Sequence, residues 1–218
     1  YTNTSLTNND VITCVVTPGL GGCSNTGYAS NTITNKSVTP GTSVDFYIQG
    51  TVAVTACTSA EEVVQWKNTD FVNVNGTSNN LVKIQSNGNW DGGAASWNTV
   101  SNYGYVQFTA TETTTSRYIG LSTTNTNASN TSIQYAINLQ NNGTCDIRES
   151  GNARLTIGAY TTGDVFRISV EAGSVRYYKN GVFLYASVIA PTLPMLVDVS
   201  MNTLGSTISN VVVSNLNT

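Results

Sequence analysis

The stretch GDVFRISVEAGSVRYYKNGVFLY at residues 163–185 constrains the fold more than any other part of the chain. Over 165–170 it alternates, with Phe166, Ile168 and Val170 on one face and Val165, Arg167 and Ser169 on the other, the period-2 pattern of a half-buried strand. A tight turn is expected at 171–174. A second alternating run at 175–179 leads into Asn180-Gly181, a dipeptide that accepts the positive φ values of a two-residue hairpin, and then into a third strand at 182–185. Such a meander buries a single face, so a second sheet has to cover Phe166, Ile168, Val170, Val175 and Tyr177.

The rest of the chain supplies strands rather than helices. Of its 218 residues 39% are hydrophobic and 10% charged, and the polar positions are filled mostly by Asn, Thr and Ser. Threonine favours strands and asparagine favours turns, which points to an all-β protein of the cell exterior, secreted or at the surface. A net charge of −3 with no Lys/Arg cluster removes the attraction that nucleic acid or an anionic membrane surface requires. No apolar run approaches the roughly 20 residues of a membrane span. The chain starts inside a strand-like segment, as expected for a piece of a longer protein.

Four cysteines, Cys14, Cys23, Cys57 and Cys145, in this setting favour disulfides. Cys14 and Cys23 flank a turn containing Pro18 and several glycines, which could bring adjacent strands into bridging distance. Pairing of Cys57 with Cys145 follows by elimination, with two buried free thiols as the alternative. With no histidine and no C-x-x-C spacing, zinc is a weak option.

Three parts are expected along the chain. Residues 1–38 read as strands at 1–6, 10–16 and 31–38; Thr39-Pro40-Gly41 opens a linker, 39–60, with one strand at 44–54; the main domain is 61–218. In the main domain strand signals recur at 63–67, 69–74, 81–85, 103–109, 117–122, 133–139, 145–149, 154–157, 195–201 and 208–216, besides the meander. So many short strands favour a two-sheet antiparallel jelly-roll sandwich over a seven-strand one. The Thr- and Asn-rich segments 111–116 and 123–132 read as long surface connections, and the Gly-rich segment carrying Trp90 and Trp97 as a loop.

Two resemblances sharpen this reading. The spacing Tyr1…Leu6…Asp10-Val11-Ile12-Thr13-Cys14, followed by SNTITNKSV, resembles the end of an immunoglobulin-like repeat of the kind strung along large secreted adhesins of gliding Gram-negative bacteria. The order Trp66, WDGGAAS from Trp90, GYVQFTA, IGLS, YAINL, IRESG, GDVFRISV, VRYYKNGVFLY and NVVVS is similar to the concanavalin A-like lectin/glucanase superfamily, which includes laminin-G, pentraxin and SPRY domains. The second resemblance covers approximately 61–215. It implies the jelly roll, in an architecture that hosts sugar binding, protein binding and hydrolysis alike.

Hydrolysis on this scaffold uses paired carboxylates on one strand, usually E-x-D-x-x-E. The nearest run is Asp146-Ile147-Arg148-Glu149, where a strand sends Asp146 and Glu149 to opposite faces, with Glu149 expected to pair with Arg148 or Arg154. Without histidine, Ser–His and Cys–His schemes are excluded too, so no enzymatic activity is expected. Sugar binding needs only an aromatic plate and hydroxyl partners. Trp90, Asp91, Trp97 and Asn98 in one Gly-rich loop are the candidate site, with Tyr160 beside a turn, while Tyr103, Tyr105, Tyr178 and Tyr185 could extend a platform. The competing expectation is that the tryptophans plug the core and the strand tyrosines are structural. Calcium, used in several branches of the resembled superfamily, would have Asp91, Asp146, Asp164 and Asp198, but no D-x-D-x-D run. Asp164 is expected to cap its turn, and Asp198, within a strand, to need a partner such as Arg167 or Arg176. No cofactor is required. The chain is expected to be a non-catalytic extracellular glycan-binding or adhesive module of a larger bacterial surface protein. The alternatives are a spacer or filament-forming interaction unit, or an accessory domain of a polysaccharide-degrading enzyme.

Overall fold

The computed structural model describes residues 11–16, 27–32 and 61–215. The chain divides into two compact units, 1–57 and 58–217. In the first, β1 (Val11–Val16) pairs antiparallel with β2 (Gly27–Thr32). The expected strands at 1–6 and 44–54 lie outside the described residues, as do Cys23, and with it the Cys14–Cys23 pairing, and Cys57; the expected Cys57–Cys145 bridge is not formed, because Cys145 is a free thiol, the alternative expected for it.

The second unit opens with β3 (Glu61–Val63), a 3-10 turn at Asn68–Asp70, and the hairpin of β4 (Val74–Thr77) and β5 (Asn80–Lys83). Next come β6 (Gly92–Val100), β7 (Gly104–Thr109) and β8 (Arg117–Ser122), and after a long connection β9 (Tyr135–Leu139), β10 (Thr144–Glu149) and β11 (Asn152–Ala159). The meander supplies β12 (Val165–Glu171), β13 (Ser174–Lys179) and β14 (Val182–Ala186), and β15 (Met195–Met201) and β16 (Thr207–Asn215) close the fold. Asn180 and Gly181 take φ values of 52° and 77°, the doubly positive pair that a tight hairpin turn of matching twist demands.

Two antiparallel sheets result. The smaller runs β11-β10-β9-β8-β15-β6, and the larger runs β14-β13-β12-β7-β16-β5-β4 with β3 also on β16. Among the described residues there is no α-helix. Phe166, Ile168, Val170, Val175 and Tyr177 all face the interior and are fully buried, as the alternation predicts. They meet Ile119, Leu121, Ile137, Ile147, Val197 and Val199 of the opposite sheet, and Phe108 stacks on Phe166 with centroids 5.4 Å apart. Each such side chain contributes roughly 1.5–3 kcal/mol by leaving water, so this interior is what holds the sandwich together. Cys145 lies in it as a free thiol, Sγ 3.5 Å from the Gly158 carbonyl, its pKa pushed up to about 11 by burial.

The outer faces differ. On the smaller sheet, the connection 123–133 roofs the outward side chains: Ser200 Oγ donates to the Ala128 carbonyl at 2.7 Å, and a Cβ on Gly93 would stand 2.7 Å from that of Ala128. Trp90 covers another part, edge-on to Tyr118 at 5.0 Å. Asn138, Asp146, Asp198 and Ser200 are consequently buried although they point away from the core. The corresponding face of the larger sheet carries half-exposed polar and aromatic side chains.

Candidate functional site

The residues singled out from the sequence do not converge. Residues 92–100 form β6 rather than a loop, and at roughly 3.3 Å per residue this strand keeps Trp90 and Asp91 ~20 Å from Trp97 and Asn98. Asp91 accepts from Lys83 Nζ at 2.6 Å, the contact that holds its carboxyl below the usual range. Trp97 is 64% exposed, with Lys67 Nζ 4.9 Å from its ring centre. Asn98 is committed to its neighbours, accepting from the Gln65 amide and donating to Glu62. Tyr160 is interior: it packs edge-on to Phe166, its hydroxyl donates to the Gln140 carbonyl at 3.1 Å, and burial raises its pKa. No shared surface is built from these five.

The four candidate cation ligands are likewise separate. Asp146 accepts from both Arg148 Nε and Nη2 and from Asn138 Nδ2. Asp164 caps its turn as expected, accepting from the Thr161 amide and Asn180 Nδ2, with Lys179 Nζ 2.9 Å away. Asp198 has neither expected arginine: Arg167 is engaged by Gln107 and Arg176 by Glu171, both on the other sheet, and neither carboxyl oxygen of Asp198 has a hydrogen-bond partner among the described residues. Among the described residues no three potential metal-ligating side chains gather at one point. Asp146 and Glu149 do point to opposite faces, Glu149 inward to Tyr177 and 2.9 Å from Arg154 Nε.

A groove of about 250 Å³ crosses the outer face of the larger sheet, lined by Gln107, Val165, Arg167, Glu171, Tyr178 and Gly181. Strand register builds it. Gln107 on β7 stands opposite Arg167 on β12, Arg167 opposite Tyr178 on β13, and Tyr178 opposite Phe183 on β14, so four side chains form one row across four strands. The adjacent row is Tyr105, Ser169 and Arg176.

The polar groups of this groove are pre-positioned. Arg167 donates through Nε and Nη2 to Gln107 Oε1 at 3.1 and 2.7 Å, and its guanidinium carbon lies 3.8 Å from the centre of the Tyr105 ring. The Tyr105 hydroxyl donates to Glu61 at 2.7 Å. Glu171 accepts from Ser169 Oγ at 2.6 Å and from the Tyr178 hydroxyl at 2.9 Å, with Arg176 Nε 3.6 Å away. Burial and then the Glu171 contact raise the Tyr178 pKa, keeping that hydroxyl protonated. Phe183, 51% exposed, meets Tyr178 edge-on at 5.8 Å. Aromatic surface beside fixed donors and a carboxylate suits a ligand with both apolar ring faces and polar edges. The outward alternation of Tyr105, Gln107, Arg167 and Tyr178 is visible in the sequence, but the neighbouring of β7 and β12 is not.

No family model matches the sequence, and no curated protein matches it. Among solved structures, the PSpry domain of TRIM65 is similar over 68% of this chain and 91% of its own, with TM-score 0.51 and 10% identity. The SPRY domain of human HERC1 is similar over 70% of this chain and 99% of its own, with TM-score 0.50 and 14% identity. The Emp47p carbohydrate recognition domain is similar over 67% of this chain and 87% of its own, with TM-score 0.42 and 7% identity. At such identities the SPRY likeness is one of fold, and with the two antiparallel sheets it makes residues 61–215 an all-β jelly-roll sandwich.

Proposed function

We propose that residues 61–215 act as a non-catalytic glycan-binding module of an extracellular adhesive protein, with the groove across β7, β12, β13 and β14 as its binding face. The observation that carries this reading is the row Gln107, Arg167, Tyr178 and Phe183, which sets aromatic surface beside polar groups already held in place by their neighbours. Preorganised groups of this kind lose little conformational freedom when a sugar docks. Glu171 is the carboxylate that lines the groove, and it is occupied by Ser169 and Tyr178, whereas glycosidic hydrolysis works with two carboxyl groups flanking one bond. The Asn/Thr/Ser-rich, cysteine-bearing composition supports the extracellular setting, and the resemblance of residues 1–38 to an adhesin repeat supports a place in a longer surface protein, bound to a polysaccharide partner without a required metal.

The test is glycan-array and calorimetric binding by the full 218-residue chain. Tyr178→Ala should weaken glycan binding about tenfold with the thermal midpoint kept, Trp97→Ala should leave it unchanged, and chelation of divalent ions should have no effect. Absence of binding to any glycan, or the reverse ranking of the two variants, overturns the assignment. A second reading, a protein-interaction or filament unit, is favoured by one observation: β14 is an edge strand with Val182 and Phe183 exposed. Self-association abolished by Phe183→Lys would support it.

A further inference from the structure

We infer that the ligand of this groove is a carboxylated sugar, a uronate-containing glycan, held by Arg167 as its anion anchor; the inference rests on the glycan-binding reading above and names the ligand class. Of the eight lysines and arginines among the described residues, six stand within 4 Å of a carboxylate: Lys83, Arg117, Arg148, Arg154, Arg176 and Lys179. Lys67 and Arg167 have no carboxylate within that distance among the described residues. Lys67 lies beside the exposed Trp97. Arg167 lines the groove, and what holds it there is a neutral amide and an aromatic face.

That choice of partners has a chemical consequence. Gln107 and Tyr105 fix the plane of the guanidinium without cancelling its charge, and two of its five N–H groups are used. Three remain for a ligand, in the planar fork that matches a carboxylate through two parallel hydrogen bonds. The carboxylates nearby are already occupied: Glu171 by Ser169, Tyr178 and Arg176, and Glu61 by the Tyr105 hydroxyl. The aromatic partner stands one strand away, because Tyr178 is directly opposite Arg167, ~5 Å across the ladder. A sugar ring over Tyr178 therefore has its carboxyl substituent within reach of the guanidinium. With a net charge of −3 the chain has no general attraction for polyanions, so selectivity has to come from this local contact.

The experiment is calorimetry on the full chain with an oligogalacturonate, an oligomannuronate, their carboxyl-reduced counterparts of equal length, and a sulfated neutral oligosaccharide. The expected result is at least tenfold tighter binding of the uronates than of the reduced sugars. Arg167→Gln should bring uronate affinity down to that of the reduced sugars without changing the latter, and Arg167→Lys should fall between. If Arg167→Gln lowers the thermal midpoint, Gln107→Glu decides, since it places a carboxylate on the guanidinium and should produce the same selective loss. Equal affinity for uronates and reduced sugars, or preference for the sulfated one, overturns the carboxylate assignment and leaves the glycan-binding reading standing. No affinity for any of these or for arrayed glycans overturns the glycan-binding reading itself.

Discussion

Tyr177, on β13 of the larger sheet, donates its hydroxyl to Glu149 Oε1, on β10 of the smaller sheet, at 3.2 Å across the interior. Both side chains are fully buried, and Arg154 Nε lies 2.9 Å from the other carboxylate oxygen. A carboxylate this deep is tolerated only while its oxygens keep partners. Burial, followed by the Glu149 charge, holds the Tyr177 hydroxyl well above its usual pKa, so it stays a donor throughout the working pH range. Tyr177→Phe keeps the ring and removes that donor. The expected loss is about 1–3 kcal/mol in urea unfolding with an unchanged m-value. A loss below about 0.5 kcal/mol would show that Arg154 alone satisfies Glu149.

Asp198 makes the opposite contribution. Burial raises its pKa from 3.8 to about 7, the neighbouring Asp70 charge adds to the rise, and the nearby Ser122 hydroxyl and Val199 amide, outside hydrogen-bonding geometry, offset only part of it. The folded chain thus keeps a proton on Asp198 between pH 3.8 and about 7 while the unfolded chain has released it. Over that window this group lowers stability as pH rises, by on the order of 4 kcal/mol in total, and above pH 7 the cost is constant. Asp91, Glu112 and Asp164, whose pKa values are lowered, act with the reverse sign as pH falls. Comparing the protein with Asp198→Asn isolates the contribution of this carboxyl group. The variant should gain stability relative to the parent on going from pH 4 to pH 8. Parallel pH profiles for the two would refute the assignment.

The parts of the fold that were legible in the sequence are those where both faces of a strand announce themselves. In β12 and β13 large apolar residues alternate with polar ones and Asn180-Gly181 marks the turn, so element, facing and core membership follow from pattern alone. In β6 the run Gly92-Gly93-Ala94-Ala95-Ser96 offers neither β-branched residues nor alternation, and reads as a loop. The structure supplies the reason: Ala128 sits against Gly93, Lys83 Cδ would be 3.1 Å from a Cβ on Gly92, and Ala94 and Ala95 are buried. Small residues there record close approach from the connection 123–133 and from Lys83, not turn propensity. The candidate site followed the same logic. Two tryptophans in an apparent loop stood out, while Gln107 and Arg167, 60 residues apart, become neighbours only through a strand order that local pattern does not encode.

Lys83 explains why the segment around Trp90 and Asp91 is scaffold. Its side chain is fully buried at the end of β5, and Nζ lies 2.6 Å from the Asn89 carbonyl, 2.6 Å from Asp91 Oδ1, 3.0 Å from the Met201 carbonyl and 2.8 Å from the Asn202 carbonyl. One ammonium thus ties the larger sheet to the end of β15 in the smaller sheet and to the turn carrying Trp90. Lys83→Met retains the stem and removes the charge, stranding several acceptors where water has little access, and should cost about 3 kcal/mol or more. Asp91→Asn should cost far less, because the Asp91 side chain is 37% exposed and the amide oxygen still accepts from Nζ. Urea unfolding of the two variants separates these outcomes, and glycan affinity of Asp91→Asn, expected to equal the parent's, distinguishes a residue that anchors a turn from one that touches ligand. A larger loss for Asp91→Asn than for Lys83→Met would mean that the carboxylate, rather than the buried ammonium, organises this corner of the sandwich.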